Sequence, residues 1–301
     1  MQIRKATRRK AKLRLGLVAA SGAGKTYSAL QLAFGLGGKI GMIDTEHGSG
    51  DLYANLGDYD IITLSAPYTV DKYRRAIAAF EAEGYDVIII DSLSHAWAGD
   101  GGLLDKQGKI ADSGKAQNSF AAWRQITPEH NQLVETLLQS PAHIIATMRA
   151  KTEYVLETND KGKQVPRKIG LAPVQRDGME YEFTVVMDID ANHVASASKD
   201  RTGTLDGQFF KITDRTGREL LEWLESGAEA LPSPVTLACD LLRSATNGPE
   251  FKAIWNSNWQ GWRDLMSEAD WQTVLAVKDE LIATFAPPKE STPGYEQGAA
   301  A

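Results

Sequence analysis

Residues 18–33 read VAASGAGKTYSALQLA. Within this stretch Gly22, Gly24, Lys25 and Thr26 have the types and order of a phosphate-binding loop. In such a loop successive backbone N–H groups curl round a phosphate at the positive end of a helix. The lysine offsets charge on the β- and γ-phosphates, and the following hydroxyl ligates magnesium. Ser21, Gly22, Ala23, Gly24, Lys25, Thr26 and Tyr27 are therefore the expected nucleotide contacts. The loop departs from the common pattern at its first position, where Ala19 stands in place of glycine.

A phosphate loop needs a carboxylate at the end of a buried strand to hold magnesium together with Thr26. Asp91, which closes the apolar run VIII at 87–90, fits that role. Hydrolysis also needs a group that orients and deprotonates the attacking water. Glu46, which ends the apolar stretch after the loop helix, is the best-placed carboxylate. The expected cofactors are ATP and magnesium.

The elements that must position these groups alternate. Leu13, Leu15 and Leu17 mark a strand before the loop, and a helix is predicted from Lys25 to Gly35. Short strands follow at 39–46 and 59–65, then a helix over 69–84 capped by Thr69 and ended by Gly84. The run at 85–97 reads as a strand buried on both faces. Glycine-rich polar sequence covers 99–115, helical pattern runs to about 139, and another buried strand spans 142–150. This alternation predicts an α/β fold with a mostly parallel sheet flanked by helices. From 152 to 215 strand pairs are expected, with turns at NDKG (159–162) and DRTG (200–203). Beyond LPSP (231–234) the pattern is helical. The expected organisation is an ATPase domain over 1–225 with a basic arm at 1–12, a small helical region over 226–285, and a disordered tail over 286–301.

The chain has 301 residues, 43% of them hydrophobic, and a net charge of −6. Its single cysteine, Cys239, fits a reducing compartment. No apolar run is long enough for a bilayer and no signal core opens the chain, so a cytoplasmic protein is expected. The acidic balance argues against blanket nucleic-acid binding. The first residues nevertheless carry Arg4, Lys5, Arg8, Arg9, Lys10, Lys12 and Arg14 without an acid. They form either a localised polyanion site or a solvated extension.

MIDTEHGSGDLYANLGDYDI resembles the stretch of RecA that carries its catalytic glutamate, and DVIIIDSLS resembles RecA's magnesium-site strand. The resemblance implies a RecA-like fold and Glu46 as general base. RecA-type enzymes usually carry a polar amide sensor near the end of the strand that here reads IIATMR, where this chain offers Thr147 and Met148. RKATRRKAKLRLGL, DSLSHAWAGDGGLLD, ATMRAKTEY and GLAPVQRDGMEYEF resemble a phage family of RecA-like ATPases, the minimal recombinases grouped with single-strand annealing proteins. That likeness covers residues 4–225. Lys199 and Arg201, two apart on a strand, share a side. They are similar to the Lys-x-Arg pair that KaiC- and DnaB-type motors insert into a neighbour's nucleotide site, and a homo-oligomer, ring or filament, is implied.

Two loops of RecA-type proteins face DNA. The candidates here are 99–118, with Lys106, Lys109 and Lys115, and 149–178. Arg149, Lys151, Lys161, Lys163, Arg167 and Lys168 are the expected contacts to single-stranded DNA, with Arg176 and the aromatic Tyr154 nearby. An ordinary solvated hairpin is the alternative. Trp255, Trp259 and Trp262 lie on one helical face and read as the core of a small bundle, with Trp271 on another helix that opens with Ser267 and Asp270. The expected function is ATP- and magnesium-dependent hydrolysis on single-stranded DNA in phage recombination, by annealing or strand exchange, in the host cytoplasm. A single-strand-binding protein is a possible partner. The alternatives are an ATP-gated scaffold or loader with little turnover, and a small-molecule kinase.

Overall fold

A computed structural model describes residues 5–113, 118–158, 164–229 and 232–285, excluding the side chains of 119 and 152–171. The chain divides into two compact units, Met1–Ala228 and Glu229–Ala301.

In the first unit the strands are β1 (Arg14–Ala19), β2 (Ile40–Asp44), β3 (Asp60–Thr63), β4 (Val87–Asp91), β5 (His143–Thr158), β6 (Gln164–Pro173), β7 (Val185–Ile189), β8 (Ala195–Asp200) and β9 (Phe209–Phe210). The helices are α1 (Lys25–Leu36), α2 (Val70–Ala82), α3 (Ser94–Ala98), α4 (Leu103–Asp112), α5 (Ser119–Gln139) and α6 (Asp214–Glu225). The sheet order is β3-β2-β4-β5-β1-β7-β8-β9, with β6 paired to the far half of β5. Strands from β3 to β7 in that order run parallel, β8 is antiparallel to β7, and β9 is antiparallel to β8. The mostly parallel, helix-flanked sheet expected from the sequence is thus present.

β1, β2 and β4 are buried along their whole length, because alternate side chains enter different cores. Val87 and Ile89 join Leu15, Leu17, Leu30 and Leu220 on the face of α1 and α6. Ile88 and Ile90 join Tyr73, Ile77, Leu133 and Leu137 on the face of α2 and α5. α1 and α6 approach closely at two glycines. A Cβ on Gly35 would lie 2.0 Å from the Asp214 carbonyl oxygen, and one on Gly217 would lie 2.3 Å from that of Leu32.

Several boundaries differ from the expectation. The strand read over 85–97 is β4 alone, and residues 94–98 are helical. A short apolar run does not by itself distinguish a buried strand from a buried helix. The polar stretch at 99–115 holds α4, whose flanking glycines and Gly108 obscure the helical period. α6 falls partly within the region read as strand pairs. Thr69 occupies the N-cap of α2 but its hydroxyl makes no cap bond. The NDKG turn, Lys115 and the tail at 286–301 lie outside the described residues.

The basic arm is also not simply solvated. Arg8 and Lys10 bond through their backbones to Ala228, and the Arg8 guanidinium lies 5.0 Å over the Trp223 ring. Arg14 does not belong with the arm at all. It is buried, and its guanidinium donates to the carbonyls of Leu13, Ala142, Leu138 and Ser140, closing the C-terminal end of α5. Burial pulls its pKa down to about 10, against the opposing charge of Glu81. Arg4 lies outside the described residues.

The second unit contains α7 (Pro234–Arg243), α8 (Gly248–Leu265) and α9 (Glu268–Phe285). Trp255 packs against Trp262 and Trp271 at ring separations of 6.3 and 5.8 Å, whereas Trp259 is 37% exposed. Ser267 caps α9, accepting from the Asp270 N–H at 3.2 Å. Among the described residues no helix is long and apolar enough to cross a membrane.

Candidate nucleotide site

The phosphate loop joins β1 to α1. Gly22 and Gly24 have φ of +78° and +90°, a region that L side chains adopt with strain, so the glycines are needed where they stand. Ala19 is different: it is the last residue of β1, fully buried, in register with Arg149 and Ile189. Its backbone is not among those with positive φ, so the missing first glycine removes no required conformation.

Lys25 lays its ammonium on its own loop, 3.1 Å from the Ala19 carbonyl and 3.0 Å from that of Ala20. Burial lowers its pKa, while Asp91 and Glu46 pull the other way. Thr26 Oγ1 donates to Asp91 Oδ2 at 2.5 Å, and Thr147 Oγ1 donates to Asp91 Oδ1 at 2.5 Å. Burial raises the Asp91 carboxyl against both hydroxyls. Two hard oxygen donors side by side at the start of a helix suit magnesium, so Thr26 and Asp91 fit the metal that the sequence implies.

Asp44 shapes the next loop. Its carboxylate accepts from the Glu46 N–H at 2.6 Å and the Gly50 N–H at 3.2 Å, turning the chain through His47 and Gly48. Glu46 is thereby presented to the cleft, where Arg149 grips it with two bonds: Nε to Oε1 at 3.0 Å and Nη2 to Oε2 at 2.6 Å. Burial would raise the Glu46 pKa, but the bonds and charge of Arg149 outweigh it and bring it below the ordinary value. Behind Glu46, Thr45 Oγ1 meets His95 Nδ1 at 2.7 Å, and the His95 ring stacks on Tyr68.

Lys25, Thr26, Glu46, Asp91 and Arg149 line one cavity of about 920 Å³ with Ser21, Tyr27, Ser49, Tyr53, His193, Lys211 and Ile212. The structure therefore brings together the phosphate loop, Asp91 and Glu46. It places Arg149, grouped in the sequence with the hairpin cations, in the same cleft. His193 comes from the β7–β8 turn at φ +64°, its Nδ1 3.1 Å from the Ala23 carbonyl oxygen. Lys211 follows β9. Neither carries a local sequence signal. Arg149 and Thr147 do: they lie at the C-terminal end of a parallel strand, where α/β sheets place their ligands.

Lys199 and Arg201 are elsewhere. Both donate to the Tyr181 carbonyl, at 2.6 and 3.1 Å, so they do share a side. Val185 pairs with Leu15 on one flank and with Asp200 on the other, which sets the pair at the edge of the sheet opposite the phosphate loop. Ala19 is four residues further along β1, about 13 Å away at the usual strand rise.

Of the expected DNA contacts, Lys151 is exposed in β5. Arg167 and Lys168 pair through their backbones with Val155 and Tyr154, but their side chains, like that of Tyr154, lie outside the description, as do Lys161 and Lys163 entirely. In the other candidate loop Lys106 is ion-paired with Glu129 and Lys109 with Asp105.

A phosphate loop between a parallel strand and its helix, facing a strand-end aspartate one strand removed, defines a P-loop ATPase core. The chain belongs to the AAA domain family, whose model matches residues 11–216. Among solved structures it is similar to the crystal structure of the RadB recombinase, at 18% identity over 68% of this chain and 90% of that one, with a TM-score of 0.39. No curated protein matches the sequence.

Proposed function

We propose that this protein is an ATP- and magnesium-dependent ATPase that acts on single-stranded DNA in phage recombination, by annealing or strand exchange, as a homo-oligomer in the host cytoplasm. The observation that carries the reading is the convergence of Lys25, Thr26, Asp91 and Glu46 on one cavity. Lys25 leaves its loop carbonyls to bind the β- and γ-phosphate oxygens, and the loop N–H groups surround the β-phosphate. Thr26 and Asp91 hold magnesium, which when bound neutralises charge developing on the phosphate oxygens. Glu46 takes a proton from water as the water oxygen bonds to the γ-phosphorus and the bond to the leaving ADP oxygen breaks. The cations of the β5–β6 hairpin support single-strand binding through phosphate contacts. Lys199 and Arg201 complete the site of a neighbouring copy, and a single-strand-binding protein is the proposed partner on DNA.

The test is ATP turnover with and without oligo(dT), with nucleotide binding measured in parallel. Lys25→Ala is expected to abolish binding. Glu46→Gln is expected to bind but not turn over, since an amide cannot take the water's proton. Rapid hydrolysis by Glu46→Gln would move the base elsewhere. Turnover near zero in the wild type, unchanged by DNA, would make the protein an ATP-gated scaffold instead.

A further inference from the structure

The phosphate loop is held by a neighbouring turn as well as by its own lysine. β7 pairs with β1 so that Ile189 is level with Ala19, and the turn after β7 therefore stands beside the loop after β1. That turn is closely tied. The Asp190 carboxylate accepts from the Asn192 and Val194 N–H groups at 2.8 and 2.9 Å. The Asp190 N–H donates to the Val194 carbonyl at 2.9 Å, and the His193 N–H to the Asp190 carbonyl at 3.1 Å. His193 is held within it at φ +64°, one of two non-glycine residues with positive φ among those described.

From this position the imidazole Nδ1 lies 3.1 Å from the Ala23 carbonyl oxygen. A carbonyl only accepts, so Nδ1 carries the proton and donates it. The ring also packs on the loop backbone, since a Cβ on Gly24 would lie 3.2 Å from Nδ1. Glycine fills a left-handed position at least cost, so the turn by itself gains nothing from a histidine. What His193 adds is a donor aimed at the phosphate loop.

Gly22 and Gly24, on either side of Ala23, leave this part of the loop with wide backbone freedom. That freedom must be given up before the N–H groups can face one phosphate. Lys25 restrains the loop at the Ala19 and Ala20 carbonyls, but it leaves them when it turns to the nucleotide. The Ala23 carbonyl is held by a side chain from another element, which has no such exchange to make.

We propose that His193 is a positioning residue that pins the phosphate loop at Ala23 in the shape that receives the β-phosphate of a nucleotide. This rests on the reading of the cavity as a nucleotide site. Ordering the loop in advance raises affinity by reducing the entropy lost on binding. The β-phosphate is gripped alike before and during hydrolysis, so the effect in turnover belongs to KM.

The experiment uses the full chain, magnesium ADP as probe, and the variants His193→Gly, His193→Asn and Lys25→Ala. Binding is measured by calorimetry, and KM and kcat for ATP are measured in parallel. His193→Gly keeps the backbone conformation and removes the donor. It is expected to weaken ADP binding about five- to tenfold, the size of one net hydrogen bond. Asparagine also accepts the left-handed backbone and keeps a side-chain N–H, so His193→Asn should recover most of the loss. With ATP, the His193→Gly defect should fall on KM rather than kcat.

Equal ADP affinity in His193→Gly and the wild type overturns the clamp. His193→Asn binding no better than His193→Gly overturns the role of the donor. A fall in kcat with KM unchanged would also overturn positioning and move His193 into the chemistry. A wild type that binds no ADP, or binds it equally after Lys25→Ala, overturns the nucleotide reading itself. A wild type that binds ADP through Lys25 but does not hydrolyse ATP leaves the calorimetric arm to decide the clamp. Should the freer backbone of His193→Gly prevent folding, His193→Ala removes the same bond without that freedom and is compared with His193→Asn instead.

Discussion

Thr26 Oγ1 lies 2.5 Å from Asp91 Oδ2, closing the gap between the first turn of α1 and the end of β4. Thr147 satisfies the other carboxylate oxygen from β5, so three elements meet on one buried acid. Asp91→Asn keeps the shape and removes the charge. It is expected to bind nucleotide as well as the wild type in a chelator, but to lose the gain in affinity that magnesium brings. Asp91→Ala should also leave two hydroxyls without a partner, costing about 1–3 kcal/mol for each one that water cannot reach. Calorimetric titration with and without magnesium, beside thermal unfolding, checks both. A magnesium gain that survives in Asp91→Asn would place the metal on another carboxylate.

The contact between Gly35 and Gly217 makes a prediction about packing. A Cβ on Gly217 would fall 2.3 Å from the Leu32 carbonyl oxygen and 2.9 Å from the Gly35 Cα, both backbone atoms that cannot rotate away. Gly217→Ala should therefore destabilise the first unit by about 1–3 kcal/mol. Because α1 begins at Lys25, the displaced helix should also weaken nucleotide binding. Gly108, inside α4 with open space around it, is the control: Gly108→Ala should stabilise by about 0.5–1 kcal/mol. Chemical denaturation of the two variants separates these signs.

These residues also show which parts of the site could be read before folding. The phosphate loop was legible because its chemistry is local, with glycines, lysine and threonine adjacent in sequence. Asp91 was legible because an uninterrupted apolar run ends in an acid. The place of Arg149 beside Glu46 was not, since it depends on β5 pairing with β4 and β4 with β2, which joins distant segments. A run of cations at the chain start does not reveal that Arg14 turns inward to close α5 while Arg8 lies on Trp223. Parallel-sheet topology was available from the alternation of elements. The short helices α3 and α4 were not, because α3 continues an apolar run and α4 lies in a stretch whose glycines read as loop.

His143 links the fold to pH. It is buried at the start of β5, its Nδ1 accepting from the Leu13 N–H at 3.1 Å. Burial lowers its pKa to about 4, helped by the charges of Lys12 and Arg14 and opposed by Asp86. In the unfolded chain the ring takes up a proton near pH 6.5, so between these values the unfolded state binds more protons and stability rises with pH. The contribution is complete above about pH 6.5 and is lost as pH falls towards 4, for a total of about 3 kcal/mol. Denaturation midpoints measured across that window should fall with acid. His143→Leu should flatten this slope while lowering the midpoint at neutral pH, because the Leu13 N–H loses its acceptor. An unchanged slope in the variant would assign the dependence to another group.

Lys199 and Arg201 offer the most demanding test. Both rest on the Tyr181 carbonyl at the sheet edge opposite the phosphate loop, so neither reaches the cavity of its own chain. If they act on a nucleotide, a second copy must bring them to it. Arg201→Ala should then leave the ATP affinity of the isolated subunit nearly intact and lower turnover in the assembly by a factor on the order of 10³ or more, as for other arginine fingers. Loss of a surface charge pair alone would change far less. Mixing Arg201→Ala with Glu46→Gln subunits separates the two cases. Where the intact Glu46 of one subunit faces the intact Arg201 of the other, a complete site is rebuilt, and the mixture should recover turnover that neither variant has alone. Two inactive variants that co-assemble and stay inactive would exclude action across the interface. Full activity in Arg201→Ala by itself would reduce the pair to a clamp on the Tyr181 backbone.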